Sequence, residues 1–167
     1  GKEVILSGFD DHDTHHAISA YCADPSGALL MCEGVFLRTN VETAYGPVRG
    51  TDGGFYRYVA SNGLPDLDNG RLEVAEVVDD NGVNRLRWHE VPDHAGELIP
   101  TRHQVEASTP FVGGEGLALH DGMAYFVTKG DNRIWGYDTN TQQIDILYDA
   151  ATSSNPILTG VDNVVIT

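Results

Sequence analysis

Basic residues are scarce in this chain. Lys and Arg together number 10 against 25 Asp and Glu, a formal net charge of −15. Nucleic-acid phosphates and anionic membrane surfaces both repel such a chain, so neither is an expected partner, whereas a cation is compatible with it. Long apolar runs are also missing. None approaches the length that crosses a bilayer, and no signal peptide is legible. Cysteine is limited to Cys22 and Cys32, which miss the register of a tight turn at Asp24–Gly27 by about three positions, so two free buried thiols are expected rather than a disulfide. Helix-period patterns are nearly absent, and Gly is abundant at 19 of 167 residues. Together these absences leave an all-β protein, a single domain over 1–167, long enough to bury a real core.

The strand signals that remain are strongest between Val112 and Tyr148. Leu117 to His120, Met123 to Thr128, Arg133 to Asp138 and Ile144 to Tyr148 are short β-branched and aromatic runs. Asp121-Gly122, Lys129-Gly130-Asp131-Asn132 and Thr139 to Gln143 supply the turns between them. Four such strands predict one antiparallel four-stranded sheet, a propeller-like blade. A weaker copy of the pattern lies nearer the N-terminus, with Ala17 to Cys22, Ala28 to Glu33, Gly54 to Ala60 and Arg71 to Val78 as its strands. Gly160 to Thr167 reads as the first strand of a third blade. The expectation is therefore a partial β-propeller of about two blades plus one strand. Asn40 to Gly53 reads as a long irregular loop, Val83 to Val91 follows a turn at Asp79 to Gly82, and Val91 to Pro110 crosses between blades. Two blades cannot close a ring, and the sheet edges left open motivate the expectation of a homo-oligomer.

The repeat aligns the candidate site residues. His15-His16, Glu115 and Asp162-Asn163 each precede a first strand, which in a propeller lines the central channel. A lone acid or imidazole at a blade edge is ordinarily a solvated loop residue. Three at one structural position point instead to a metal at the channel rim, since His, Glu and Asp are the usual ligands of Ca²⁺, Fe and Zn²⁺. The cluster Asp10-Asp11-His12-Asp13-Thr14-His15-His16 lacks both the EF-hand pattern and the helical spacing of a zinc protease, so it reads equally as a metal-binding run or as a polar, solvated lead-in to the first strand, with His15 or His16 alone as a ligand a further option. No general acid stands out among His94, His103, His120, Lys129 and Arg133.

Gly53-Gly-Phe-Tyr-Arg-Tyr-Val59, Gly70-Arg-Leu72, Trp88, Gly114-Glu-Gly116 and the Asp162-Asn163 pair carry a family resemblance. From about His15 onward the chain resembles the C-terminal half of the PhoX-type alkaline phosphatases. That resemblance implies a six-bladed propeller whose channel holds iron and calcium, phosphomonoester hydrolysis, and a periplasmic or secreted location. It implies metal-ligand roles for Glu115 and Asp162, and it places Glu33 where the family has an acid at the end of a second strand. The departures are specific. His15-His16-Ala17 stands where the family has His-Glu-Ala, and the family's N-terminal half, with its metal-binding cysteine, has no counterpart here. Three functions follow as expectations: a metal-binding PhoX-like domain with remnant or altered phosphomonoester hydrolase activity, a non-catalytic binding or assembly module, and a calcium-dependent lactonase-like hydrolase.

Overall fold

The computed structural model describes residues 18–34, 39–43, 46–50, 53–59, 70–93 and 98–167. In chain order the strands are β1 (Ile18–Ala23), β2 (Leu29–Glu33), β3 (Thr39–Thr43), β4 (Gly46–Gly50), β5 (Phe55–Val59), β6 (Arg71–Asp80), β7 (Val83–Glu90), β8 (Gly114–His120), β9 (Met123–Thr128), β10 (Arg133–Asp138) and β11 (Ile144–Asp149). All pairings between them are antiparallel. One sheet runs β1-β2-β5-β6-β7, a second runs β11-β10-β9-β8, and β3-β4 form a separate hairpin. The only helical element among the described residues is a 3-10 turn, Thr101–His103.

Turn chemistry sets these registers. Asn81-Gly82 and Asp121-Gly122 both hold two successive positive φ angles, 56° and 85° in the first pair and 48° and 77° in the second. That is the backbone of a two-residue turn whose twist matches the flanking strands, and glycine enters it without a Cβ penalty. At the β1–β2 turn the Asp24 carboxylate accepts from the amides of Ser26 and Ala28, at 2.7 and 3.1 Å. Cys22 then stands opposite Leu30 and Cys32 opposite Ala20, with both thiols free.

The two sheets meet face to face through an aromatic core. Phe55 of β5 stacks on Phe126 of β9 with centroids 4.5 Å apart. Phe111 meets Phe126 edge-on at 5.4 Å and Trp135 at 5.3 Å. Leu30, Cys32, Ala75, Leu86, Ala124, Tyr137 and Ile144 complete the buried cluster. Removing one such ring to the methyl costs about 3–5 kcal/mol, so this layer is a major source of the attraction between the sheets. The first sheet is buried on its other face too, where Met31, Tyr56, Tyr58, Leu72, Val74 and Val91 form a second cluster. Burial on both faces explains why Leu72-Glu-Val-Ala75 of β6 is buried without a solvent-facing alternation.

The β7 edge of the first sheet is met by the turn that leads into β11. The Leu86 amide of β7 donates to the Gln142 carbonyl at 2.8 Å, and the Gln142 side-chain oxygen accepts from Trp88 Nε1 at 2.9 Å and from the Tyr137 hydroxyl at 2.8 Å. The crossing segment is stitched down as well. Gly53 and Phe111 exchange both backbone hydrogen bonds, and Thr109 donates its amide to Ala75 while its hydroxyl accepts from the Val77 amide.

The all-β expectation holds, and so does the four-strand order of the second sheet. Other expectations need correction. The first sheet has five strands rather than four, because β7 pairs with β6 along its whole length, from Asp80↔Val83 to Glu73↔Glu90. The segment expected to be an irregular loop contains the β3–β4 hairpin, registered from Thr39↔Gly50 to Thr43↔Gly46. Gly160 to Thr167 is not a strand. It forms no ladder and is largely exposed, and a β-branched run without a neighbour to pair with has no hydrogen-bonding reason to stay extended.

Candidate functional site

The site is built on an irregularity in β8. Gly114 pairs with Thr128 and Leu117 with Phe126, so three steps along β8 face two along β9. One extra residue makes a β-bulge, which turns the local side chains out of the regular alternation. Glu115 sits inside this bulge, within the strand rather than before it. The flanking glycines have separate steric reasons. A Cβ on Gly114 would stand 2.9 Å from the Cys32 Cβ of β2, and a Cβ on Gly116 would stand 2.6 Å from the Asn163 Cα and the Val164 nitrogen. The Gly-Glu-Gly motif thus lets β8 slide between two backbones while presenting one carboxylate.

Asp162 arrives on a segment without secondary structure. That segment is held at its start, where Tyr148 exchanges hydrogen bonds with both the carbonyl and the amide of Leu158, at 3.2 and 3.1 Å. The Gly160 amide then donates to Asn132 Oδ1 at 2.5 Å. The chain passes over Gly116 and leaves Asp162 on the same side as Glu115. Ala20 and Tyr21 of β1, Glu115, Gly116 and Leu117 of β8, and Asp162 and Asn163 line one cavity of about 440 Å³.

Lys129 joins the two acids. Its amide donates to the Gly113 carbonyl at 2.8 Å, which fixes its Cα at the turn after β9. Its Nζ lies 2.6 Å from Asp162 Oδ1 and 4.0 Å from Glu115 Oε1. Glu115 is 11 % exposed, Lys129 29 % and Asp162 69 %, so the pair with Asp162 is well hydrated while Glu115 is mostly enclosed. The hydrogen bond to Asp162 raises the Lys129 pKa above its ordinary value, with further help from the charges of Asp162 and Glu115 and against a smaller opposing effect of burial. The ammonium therefore stays charged at every physiological pH.

Glu33 occupies a different environment. It ends β2, is buried, and faces the second core rather than lining the cavity. The Tyr56 hydroxyl donates to Glu33 Oε2 at 3.0 Å, and an Arg102 guanidinium nitrogen lies 3.5 Å from Oε1, an ion-pair contact at the limit of hydrogen bonding. Burial, followed by the Glu33 charge, pushes the Tyr56 hydroxyl well above its usual pKa.

Of the residues expected at one rim, Glu115 and Asp162 share the cavity. His15 and His16, with the rest of the Asp10 to His16 cluster, lie outside the described residues, as does His94. His120 is exposed beside Asp121 at 3.4 Å, and Arg133 is engaged by Asp131 at 3.1 Å and Asp149 at 2.9 Å. Among the described residues no group of three or more His, Cys, Asp and Glu side chains could hold a metal. The sequence offered Lys129 only as one of five possible electrostatic partners, and Tyr21 not at all. The signal for Lys129 was the β8–β9 register, which sets the residue after Thr128 beside the Gly-Glu-Gly run; Tyr21 carried no signal.

Chemically, two carboxylates in an open cavity offer hard oxygen ligands, the kind Ca²⁺ prefers, with room for the waters that complete its shell. The ammonium between them offers a point charge for an anionic oxygen. Compared with known proteins, the chain matches no family model, no curated protein and no solved structure.

Proposed function

We propose that this chain is a metal-binding, PhoX-like domain built from propeller-type blades, in which Glu115 and Asp162 hold a cation beside a bound phosphate ester. The observation that carries this reading is the convergence of two acids, 115 and 162, on one cavity although different parts of the chain supply them. Their hard oxygens fit calcium better than a thiophilic metal, and iron enters through the family resemblance. When bound, such a cation neutralises phosphate charge and activates an oxygen nucleophile. The protein's own part is to position. The β8 bulge aims Glu115, the backbone contact at Gly116 seats the segment carrying Asp162, and Lys129 supplies positive charge for the ester's non-bridging oxygens. Tyr21 forms an exposed wall against which the rest of a substrate rests.

A second reading is favoured by the same lysine. Because Lys129 already sits within 2.6 Å of Asp162, the carboxylates are partly neutralised without any metal. On that reading the cavity is a binding site of a non-catalytic module. Elemental analysis of untagged protein purified without added metal, with Glu115→Ala alongside, separates the two. Stoichiometric calcium or iron that is lost in the variant is the expected result, and phosphate esters are then assayed. Metal-free protein in both preparations refutes the metal-site reading and leaves the binding module.

A further inference from the structure

The tip of the β6–β7 hairpin carries the makings of a reaction that needs no partner except water. Its two turn residues, Asn81 and Gly82, are both exposed and hold φ angles of 56° and 85°. In an Asn-Gly pair the next main-chain nitrogen reaches the carboxamide carbon with the least crowding, because glycine has no Cβ in the way. Nothing stands within 4 Å of the place a Gly82 Cβ would occupy, so no neighbour obstructs the approach from that side. Each reacting group has its own carboxylate. The Gly82 amide donates to Asp79 Oδ1 at 2.8 Å, and Asn81 Nδ2 donates to Asp80 Oδ1 at 3.0 Å. Asp80 is itself anchored by Arg85, whose Nε lies 3.0 Å from Oδ2. The sequence has two other Asn-Gly pairs, Asn62-Gly63 and Asn69-Gly70. The Gly70 amide is claimed by the buried Tyr58 hydroxyl at 2.8 Å, under a ring that a Cβ on Gly70 would strike at 2.1 Å; residues 62, 63 and 69 lie outside the described residues.

We propose that Asn81 is a site of spontaneous covalent modification, a deamidation on which Asp79 acts as the brake. The Gly82 nitrogen gives its proton to a base in the solvent and attacks Asn81 Cγ. A nitrogen–carbon bond forms, the bond from Cγ to Nδ2 breaks, and Nδ2 takes up a proton and leaves as ammonia. The five-membered imide then adds one water at either carbonyl. Opening gives aspartate in an ordinary chain, or isoaspartate, whose main chain runs through the side-chain carbons. No electrons are exchanged, and the net change is carboxamide plus water to carboxylic acid plus ammonia. Asp79 opposes the first step twice. Its hydrogen bond keeps the Gly82 nitrogen in the turn, and its negative charge disfavours an amide anion beside it. Opening the tip to free that nitrogen uncovers no buried side chain, since residues 79–82 are all exposed. The isoaspartate product lengthens the main chain inside a two-residue turn, and so disrupts the closure that sets Asp80 opposite Val83. The inference is independent of the cation reading above.

The test ages the purified chain at one fixed pH and temperature, as wild type, Asp79→Asn, Asp79→Ala and Asn81→Gln. Peptide mapping by mass spectrometry locates the converted asparagine, and methyl transfer by an isoaspartyl methyltransferase counts the rearranged product. All three variants change exposed residues, and a urea midpoint matching wild type before ageing ties the rates to the folded hairpin. Conversion should begin at Asn81 ahead of every other asparagine. Asp79→Asn keeps an acceptor for the Gly82 amide without the charge and should react roughly threefold faster than wild type. Asp79→Ala loses the acceptor as well and should be faster again, by about another threefold. Asn81→Gln requires a larger ring and should abolish the signal from this peptide. Conversion first at Asn62 or Asn69 with Asn81 intact overturns the site, as does an Asn81 that stays intact in wild type and in both Asp79 variants. Equal rates in wild type and both Asp79 variants overturn the brake.

Discussion

Replacing Arg102 with Met isolates what the buried Glu33 carboxylate requires. The Glu33 side chain is 1 % exposed and Arg102 is 5 % exposed, so their 3.5 Å contact is deep in the second core. Water cannot replace the guanidinium when it is removed, and the carboxylate stays behind with its charge less compensated. Breaking a buried pair from one side costs about 3–5 kcal/mol, several times the loss for an exposed pair. Tyr56→Phe removes the 3.0 Å hydroxyl donor to the same carboxylate and should cost less, about 1–3 kcal/mol. Replacing Glu33 and Arg102 together by Met removes both charges and should recover much of the loss. Urea unfolding followed by tryptophan fluorescence measures all three, because Trp88 and Trp135 both pack on the inter-sheet core. A loss below about 1 kcal/mol in Arg102→Met would show that the pair behaves like a hydrated surface contact and would refute the reasoning.

Two further outcomes follow from close contacts and from the thiols. Gly116→Ala places a methyl 2.6 Å from the Asn163 and Val164 backbone, so the segment bearing Asp162 must move; the Lys129–Asp162 pair should be lost with little change in the urea midpoint, and Lys129 and Asp162 side-chain NMR signals left unshifted in the variant would sink the steric account of the motif. Burial raises the Cys22 pKa from 9.0 to about 11 and pushes Cys32 higher still. The unfolded chain therefore loses these protons first, and stability should fall as pH rises from about 9 toward 11, whereas Cys22→Ser and Cys32→Ser together should flatten that slope; equal slopes would contradict the shifts.

The second sheet was legible because each of its turns lies between adjacent strands and carries its own chemistry, as Asp121-Gly122 does. The first sheet was harder to read for a physical reason. Strand membership is a tertiary property, and Val83 to Glu90 looks the same whether it closes one sheet or opens another. The β3–β4 hairpin was masked by its own composition, since Gly46-Pro47 weakens a strand signal. Gly160 to Thr167 shows the opposite error. Its Val and Ile residues have strand propensity, but propensity without a partner does not build a ladder. At the site, Glu115 was visible in its motif, while the Lys129–Asp162 contact joins residues that no local pattern connects.

The inserted hairpin also separates the assembly of the two sheets in time-independent, entropic terms. Every pairing in the second sheet joins strands linked by one short turn, so each new strand closes a small loop onto the last. The first sheet must instead bring Cys32 to Phe55 across the whole β3–β4 insertion before its central strands touch. Loop closure grows only with the logarithm of length, so the insertion could lengthen or shorten at modest expense to the folded state. The chain can thus vary the hairpin without disturbing the aromatic layer that holds the sheets together.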